Sequence, residues 1–203
     1  ILEIVIKQLR FYGFKHITIT VNNQAKLIKA FFGNGSKFNT HIDYALEKKP
    51  LGTMGPLKTI KDLPKNFLVL NGDVLTDLNF HKFHAHHIKN NNLFTISSYK
   101  RMELIDYGLL ETNKKNSLIK FIEKPKKTYK MSMGVYMLKK DILKYIPKEK
   151  HFGFDNLMYK LLKLKKRINV EPHNGYWLDI GRPNDYILAT EQFKKMKKKL
   201  LHD

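Results

Sequence analysis

Phe67-Leu68-Val69-Leu70-Asn71-Gly72-Asp73 is the stretch on which the fold turns. Four apolar residues in succession, without the alternation of a half-solvated strand, predict a short strand buried on both faces. The Asn-Gly-Asp that follows ends the run with turn residues and leaves a carboxylate just past the strand's carboxyl end. Open α/β sheets bind ligands beyond that edge, which makes Asp73 a candidate site residue. An Asp after a strand is also an ordinary turn or capping residue, so this position decides nothing alone.

Working back from it, residues 50–55 read as a Gly-containing loop, 42–47 as a strand, and 16–21 as a β-branched alternating strand. Between those strands Asn22 or Asn23 caps a helix reaching Phe32, ended by Gly33 and Gly35. Leu2, Val5, Ile6 and Leu9 recur at helical spacing and Gly13 follows, so the chain is expected to open inside a helix. Working forward, a helix near 80–91 leads to a strand at 93–99. Residues 107–112 pair with 118–123 across a turn at 113–116, and a strand follows at 133–138. Short helices near Ile142 and Leu157, a strand near 168–170 and a helix from Pro183 complete the reading. No internal repeat or linker divides the chain, so residues 1–203 are expected to form one α/β domain with a mixed central sheet and flanking helices.

The 203 residues are 42% hydrophobic, enough for a sizeable core. No apolar run is long enough to span a bilayer, so membrane insertion is not expected, and the start lacks the pattern of a secretory leader, so the expected location is cytoplasmic. The absence of cysteine excludes disulfides and thiolate metal sites. A net charge of +20 favours polyanions, but the lysines are scattered and no base-reading motif accompanies them, so no specific nucleic-acid partner is expected. His84, His86 and His87 do not form an HExxH pattern and read as a solvated helix face.

Two further segments carry chemistry. Glu123-Lys124-Pro125 ends a strand, and Trp177-Leu178-Asp179-Ile180-Gly181 places a second Asp beside an aromatic residue and a glycine. Trp177 either lines a pocket or packs under the sheet. In chain order, Glu47 followed by PLGTMGPL (50–57), FLVLNGDVLTDLNF (67–80), FIEKP (121–125), MSMGVYML (131–138), FGFDNLMYKLL (152–162) and GYWLDIGRPNDY (175–186) together resemble the sugar-phosphate nucleotidyltransferase family, in particular its mannose-1-phosphate guanylyltransferase-like branch.

That resemblance implies a Rossmann-like nucleotide-diphospho-sugar transferase fold with a mixed, mostly parallel central sheet. It implies a Mg²⁺-dependent reaction that joins a nucleoside triphosphate and a sugar 1-phosphate into an NDP-sugar and pyrophosphate, for cell-surface glycan synthesis. Asp73 and Asp179 match the two aspartates that hold Mg²⁺ against the phosphates, a role suited to hard carboxylate oxygens. Lys124, matched to the lysine on the sugar phosphate, completes the catalytic set. Glu123 matches the acid that bonds sugar hydroxyls, and Gly108 a glycine whose backbone faces the sugar. Ser132 stands where many members carry a sugar-binding asparagine, which leaves the sugar undetermined. Glu47, Gly52 and Thr53 match the loop approaching the nucleobase, where glycine admits close contact, and Asn71 and Gly72 join the nucleotide side. Homo-oligomerisation stays open.

The family pattern begins with a strand and a GGxGTRL loop that would cradle the triphosphate, and neither lies within residues 1–203. The resemblance therefore implies a domain incomplete at its amino end and impaired in turnover. A non-catalytic sugar-nucleotide-binding or regulatory protein of the same fold is the alternative.

Overall fold

The computed structural model describes residues 1–47 and 49–201. In chain order they form α1 (Leu2–Phe11), β1 (His16–Val21), α2 (Ala25–Phe32), β2 (His41–Leu46), β3 (Asn66–Leu70), β4 (Val74–Thr76), α3 (Phe80–Lys89) and β5 (Phe94–Leu104). They continue with β6 (Leu109–Thr112), β7 (Leu118–Ile122), β8 (Lys126–Lys139), α4 (Phe154–Lys163), β9 (Asn169–His173), β10 (Trp177–Asp179) and α5 (Pro183–Leu201).

The largest sheet has the order β3-β8-β5-β9. β8 is antiparallel to both β3 and β5, and β5 is parallel to β9, so three strands run one way and β8 runs against them. This is the mixed sheet with a majority direction that the sequence implied. β1 and β2 form a separate parallel pair, β4 and β10 an antiparallel pair, and β6 and β7 an antiparallel ribbon.

The unbroken apolar run of β3 has a direct cause. Leu68 and Leu70 pack into a cluster with Met133, Val135, Met137, Phe80 and Phe83, so α3 covers that face. Phe67 and Val69 pack into a second cluster with Phe94, Leu138, Leu157 and Leu161, so α4 covers the other. Each large side chain buried this way stabilises the fold by about 1.5–3 kcal/mol, and a strand that feeds two cores has no polar face.

α1 is amphipathic, burying Val5, Ile6, Gln8 and Leu9. Past Phe11 the Gly13 N–H donates to the Arg10 carbonyl, and Gly13, with φ 91°, turns the chain so that the Phe14 N–H reaches the Leu9 carbonyl. Buried Gln8 donates from Nε2 to the Thr76 carbonyl at 2.7 Å and so fastens α1 to β4.

Several elements depart from the sequence reading. β8 begins at Lys126 rather than near Met133, because its first residues extend the ladder with β5 as a solvated ribbon in which apolar patterning is lost. α2 starts at Ala25, with Asn22 and Asn23 in the preceding turn and no side-chain cap. The segment around Ile142 is a 3-10 turn, Lys140–Tyr145. β4 and β10, three residues each, are too short for any period and form only by pairing across the chain. The ribbon of β6 and β7 forms where expected, closed by the Asn113 side chain, which accepts from the Lys115 and Ser117 N–H groups.

Candidate active site

The pairing of β4 with β10 is what builds the site. Val74 lies opposite Asp179, and the Ile180 N–H donates to the Asp73 carbonyl at 3.0 Å, so Asp73 and Asp179, 106 positions apart in sequence, end on one edge. Gly181 measures the convergence. A Cβ there would stand 3.1 Å from Asp73 Oδ2 and 3.2 Å from Asp179 Oδ1, so both carboxylates border the space that a side chain would fill. Two aspartate oxygens around a space kept clear by glycine form a donor set suited to a hard divalent cation such as Mg²⁺.

A part-buried ion pair, with Asp185 buried and Arg101 partly exposed, holds this edge. Arg101 grips Asp185 with both guanidinium nitrogens, at 3.0 and 2.9 Å, and Asp185 Oδ2 also accepts from the Asp179 N–H at 3.2 Å. The Arg101 guanidinium beside it holds the Asp185 carboxyl below its ordinary range, against the opposing effect of burial. On the other side of β4, Asp77 accepts from His173 Nε2 at 2.8 Å, from the Tyr176 N–H at 2.6 Å and from Lys199. Burial pushes the Asp77 carboxyl up, but Lys199, Tyr176 and His173 outweigh it and hold it below the usual value. The loop into β10 and the end of α5 are thereby tied to β4.

A cleft of about 860 Å³ opens beside Asp73, between β1 and β3. Asn71, Gly72 and Asp73 line it together with Gly52 and Thr53. Gly52 has φ 75°, and a Cβ on it would lie 3.0 Å from the Phe152 carbonyl oxygen. Thr53 Oγ1 accepts from the Phe154 N–H at the start of α4, while Glu47 Oε2 accepts from the Leu51 N–H at 3.0 Å. Glu47 therefore braces the loop that carries Gly52 and Thr53. Asn71 sits against Gly134, whose φ is 74° and where a Cβ would stand 2.9 Å from Asn71 Nδ2. Gly134→Ala combines backbone strain with displacement of Asn71, so it is expected to cost about 2 kcal/mol, read as a lower urea midpoint at unchanged slope.

The residues expected on the sugar side gather separately. Gly108 lies close against the β7 side chains: a Cβ there would stand 2.5 Å from the Phe121 ring and 3.1 Å from Glu123 Oε2. Lys124 pairs with Asp106 at 2.8 Å, and both are solvent-exposed. Its φ of 42° is a conformation that side-chain-bearing residues seldom adopt, least of all before proline. Such strain concentrates where a side chain must be aimed. Ser132 Oγ donates to Tyr136 Oη at 3.2 Å and accepts from the Gly134 N–H at 3.4 Å, which links it through Gly134 to Asn71. Gly108, Glu123, Lys124 and Ser132 do not line the cleft itself.

Trp177 packs under the sheet: its indole donates to the Met133 carbonyl at 3.0 Å and its ring lies 5.5 Å from that of Tyr99. His87 corrects the solvated-face reading of α3. It is fully buried with Nδ1 2.8 Å from Thr95 Oγ1, and burial lowers its pKa to about 4. Gly181 stands in the sequence motif beside Asp179, whereas Arg101 and Asp185 have no role in the sequence reading. Asp185, in the first turn of a helix that starts with proline, carried a local signal, whereas its partner lies 84 residues away.

The chain is 32% identical over 191 residues to the D-glycero-alpha-D-manno-heptose 1-phosphate guanylyltransferase of Campylobacter jejuni, covering 91% of this chain and 82% of that protein. It is 28% identical over 193 residues to the mannose-1-phosphate guanyltransferase of Yarrowia lipolytica, and spans 53% of that longer relative. The crystal structure of HddC from Yersinia pseudotuberculosis superposes with a TM-score of 0.72 at 26% identity, over 95% of this chain and 84% of that one. A second HddC structure, complexed with GMP-PN, superposes with a TM-score of 0.68. Residues 1–196 match the family model described as nucleotidyl transferase, and the chain therefore belongs to the nucleotidyl transferase family.

Proposed function

We propose that the protein joins a nucleoside triphosphate to a sugar 1-phosphate, with GTP and a mannose- or manno-heptose-type sugar phosphate as its first candidate substrates. The observation that carries this reading is the convergence of Asp73 and Asp179 on the space beside Gly181, with Asp73 also lining the cleft beside Asn71 and Gly72. The choice of guanine and of a manno-configured sugar draws on the names of the relatives. The single family match over residues 1–196 supports reading the chain as one nucleotidyltransferase domain.

In this reaction a phosphate oxygen of the sugar phosphate forms a bond to the α-phosphorus. The bond from that phosphorus to the bridging oxygen breaks, and pyrophosphate leaves. Asp73 and Asp179 would hold Mg²⁺, which would supply positive charge against the phosphates. The protein's remaining work is positioning. The loop braced by Glu47 presents Gly52 and Thr53 to the nucleotide, with Asn71 and Gly72 below it. Lys124 exchanges Asp106 for the sugar phosphate, and Glu123, Gly108 and Ser132 orient the sugar.

Residues 1–203 on their own are expected to turn over slowly, because the cleft lies between strand edges of β1 and β3 that carry no ladder among the described residues. The functional test supplies GTP, ATP, CTP, UTP and dTTP in turn with mannose, heptose and glucose 1-phosphates and Mg²⁺. Pyrophosphate release that needs both substrates supports the proposal, and nucleotide-sugar binding without turnover supports the non-catalytic alternative.

Lys124→Ala is expected to raise the KM for the sugar 1-phosphate by about tenfold or more while changing the KM for the nucleotide far less, since a lost charge contact to phosphate is worth about 1.5–3 kcal/mol. Separate titrations of the two substrates read this. An equal or larger effect on the nucleotide assigns Lys124 to the wrong substrate.

A further inference from the structure

We propose that His16, His41 and Asp43 form a binding site for a borderline transition-metal ion such as Zn²⁺, on the β1–β2 pair and distinct from the Asp73–Asp179 edge. The site follows from strand parity. β1 and β2 run parallel with His16 directly opposite His41 and Thr18 opposite Asp43. Side chains two apart share a face, so both imidazoles and the carboxylate stand on one side of the pair. Ile17 and Ile42, one residue on, point to the other side and pack with Ile6 and Phe32.

The side chains have also turned toward one another. His16 Nε2 lies 2.6 Å from one Asp43 oxygen and His41 Nε2 lies 3.3 Å from the other. One ligand atom from each residue falls within 4.8 Å of the other two.

Two imidazoles and one carboxylate match the preference of Zn²⁺, Co²⁺ and Ni²⁺ rather than of Mg²⁺, which favours all-oxygen shells. Three protein ligands leave at least one position for water or for an exogenous ligand. The three side chains are 55–62% exposed, so an ion reaches them from solvent without opening the fold. Because β1 also borders the large cleft, an ion here would clamp the cleft's β1 wall to β2.

The test is calorimetric titration of Zn²⁺ into residues 1–203 without Mg²⁺, at slightly alkaline pH where imidazole is neutral, with Co²⁺ absorption as a geometric check. The expected result is a single tightest site whose affinity falls by about tenfold or more in His41→Ala and in Asp43→Asn, each having lost one of three ligands. Zn²⁺ should raise the Tm of the unaltered chain and leave that of the His16→Ala/His41→Ala double variant unmoved, because only binding to the folded state stabilises it. Exposed positions make misfolding of these variants an unneeded concern, and their metal-free Tm verifies it. Wild-type affinity retained in the double variant would place the metal on other histidines and overturn the site, as would failure of the unaltered chain to bind Zn²⁺.

Discussion

Asp73→Asn and Asp179→Asn should each lower turnover by about a hundredfold or more, the scale at which removing one charged group from a phosphate-stabilising centre acts. Neither change should unfold the protein. Asp73 is exposed and Asp179 only partly buried, and asparagine keeps the shape of the side chain. In Asp179→Asn the amide oxygen can still accept from the Gly181 N–H, which Asp179 Oδ1 accepts at 3.2 Å. Pyrophosphate release with Mg²⁺ reads the effect beside a matching thermal melt. Near-wild-type rates in both variants would remove the carboxylates from the reaction.

Arg101→Ala should act on stability first and on activity through it. Asp185 is only 1% exposed and would be left with a buried charge and one remaining donor, the Asp179 N–H. Breaking such a pair costs about 3 kcal/mol, or roughly 5–10 °C of Tm in a chain of this size. Its pH dependence has a definite sign. Asp185 has its folded-state pKa depressed, so its contribution is present above the ordinary aspartate range and fades as pH falls through the depressed value. The gap between wild type and Arg101→Ala should therefore be widest near neutrality and close in acid. The same loss at every pH would mean that Arg101 stabilises by packing rather than by charge. Because Asp185 also holds the Asp179 N–H, kcat in Arg101→Ala should fall even well below its Tm, whereas a purely structural role would leave kcat untouched there.

What the sequence disclosed, and what it withheld, follows the range of the interactions. The apolar run of β3 was legible because burial on both faces leaves an unmistakable local pattern. The β6–β7 ribbon was legible because Asn113 and its neighbours encode the turn locally. The first part of β8 was not, since a solvated ribbon held by backbone bonds to β5 leaves lysines without apolar alternation. Nor were β4 and β10, whose pairing is a contact across 100 residues between three-residue strands. The aspartates themselves were visible as residues at strand ends. That they face one space is a consequence of that pairing and of Gly181, and Arg101–Asp185 and Asp77–His173 keep it in place. His87 shows the opposite case, a polar residue on a helix whose sequence neighbours suggested solvent while its bond to Thr95 takes it into the core.

The central claim is that Asp73 and Asp179, brought together by β4 and β10, hold one divalent cation. Its most direct test is a double-mutant cycle on Mn²⁺ affinity, followed by electron paramagnetic resonance in the presence of a nucleoside triphosphate, for the unaltered chain, Asp73→Asn, Asp179→Asn and the double variant. Two ligands of one ion act as a unit, so each single substitution should remove most of the protein-dependent affinity and the double should lose little more. Losses that simply add, or wild-type affinity in the double variant, would show that the two carboxylates do not share an ion.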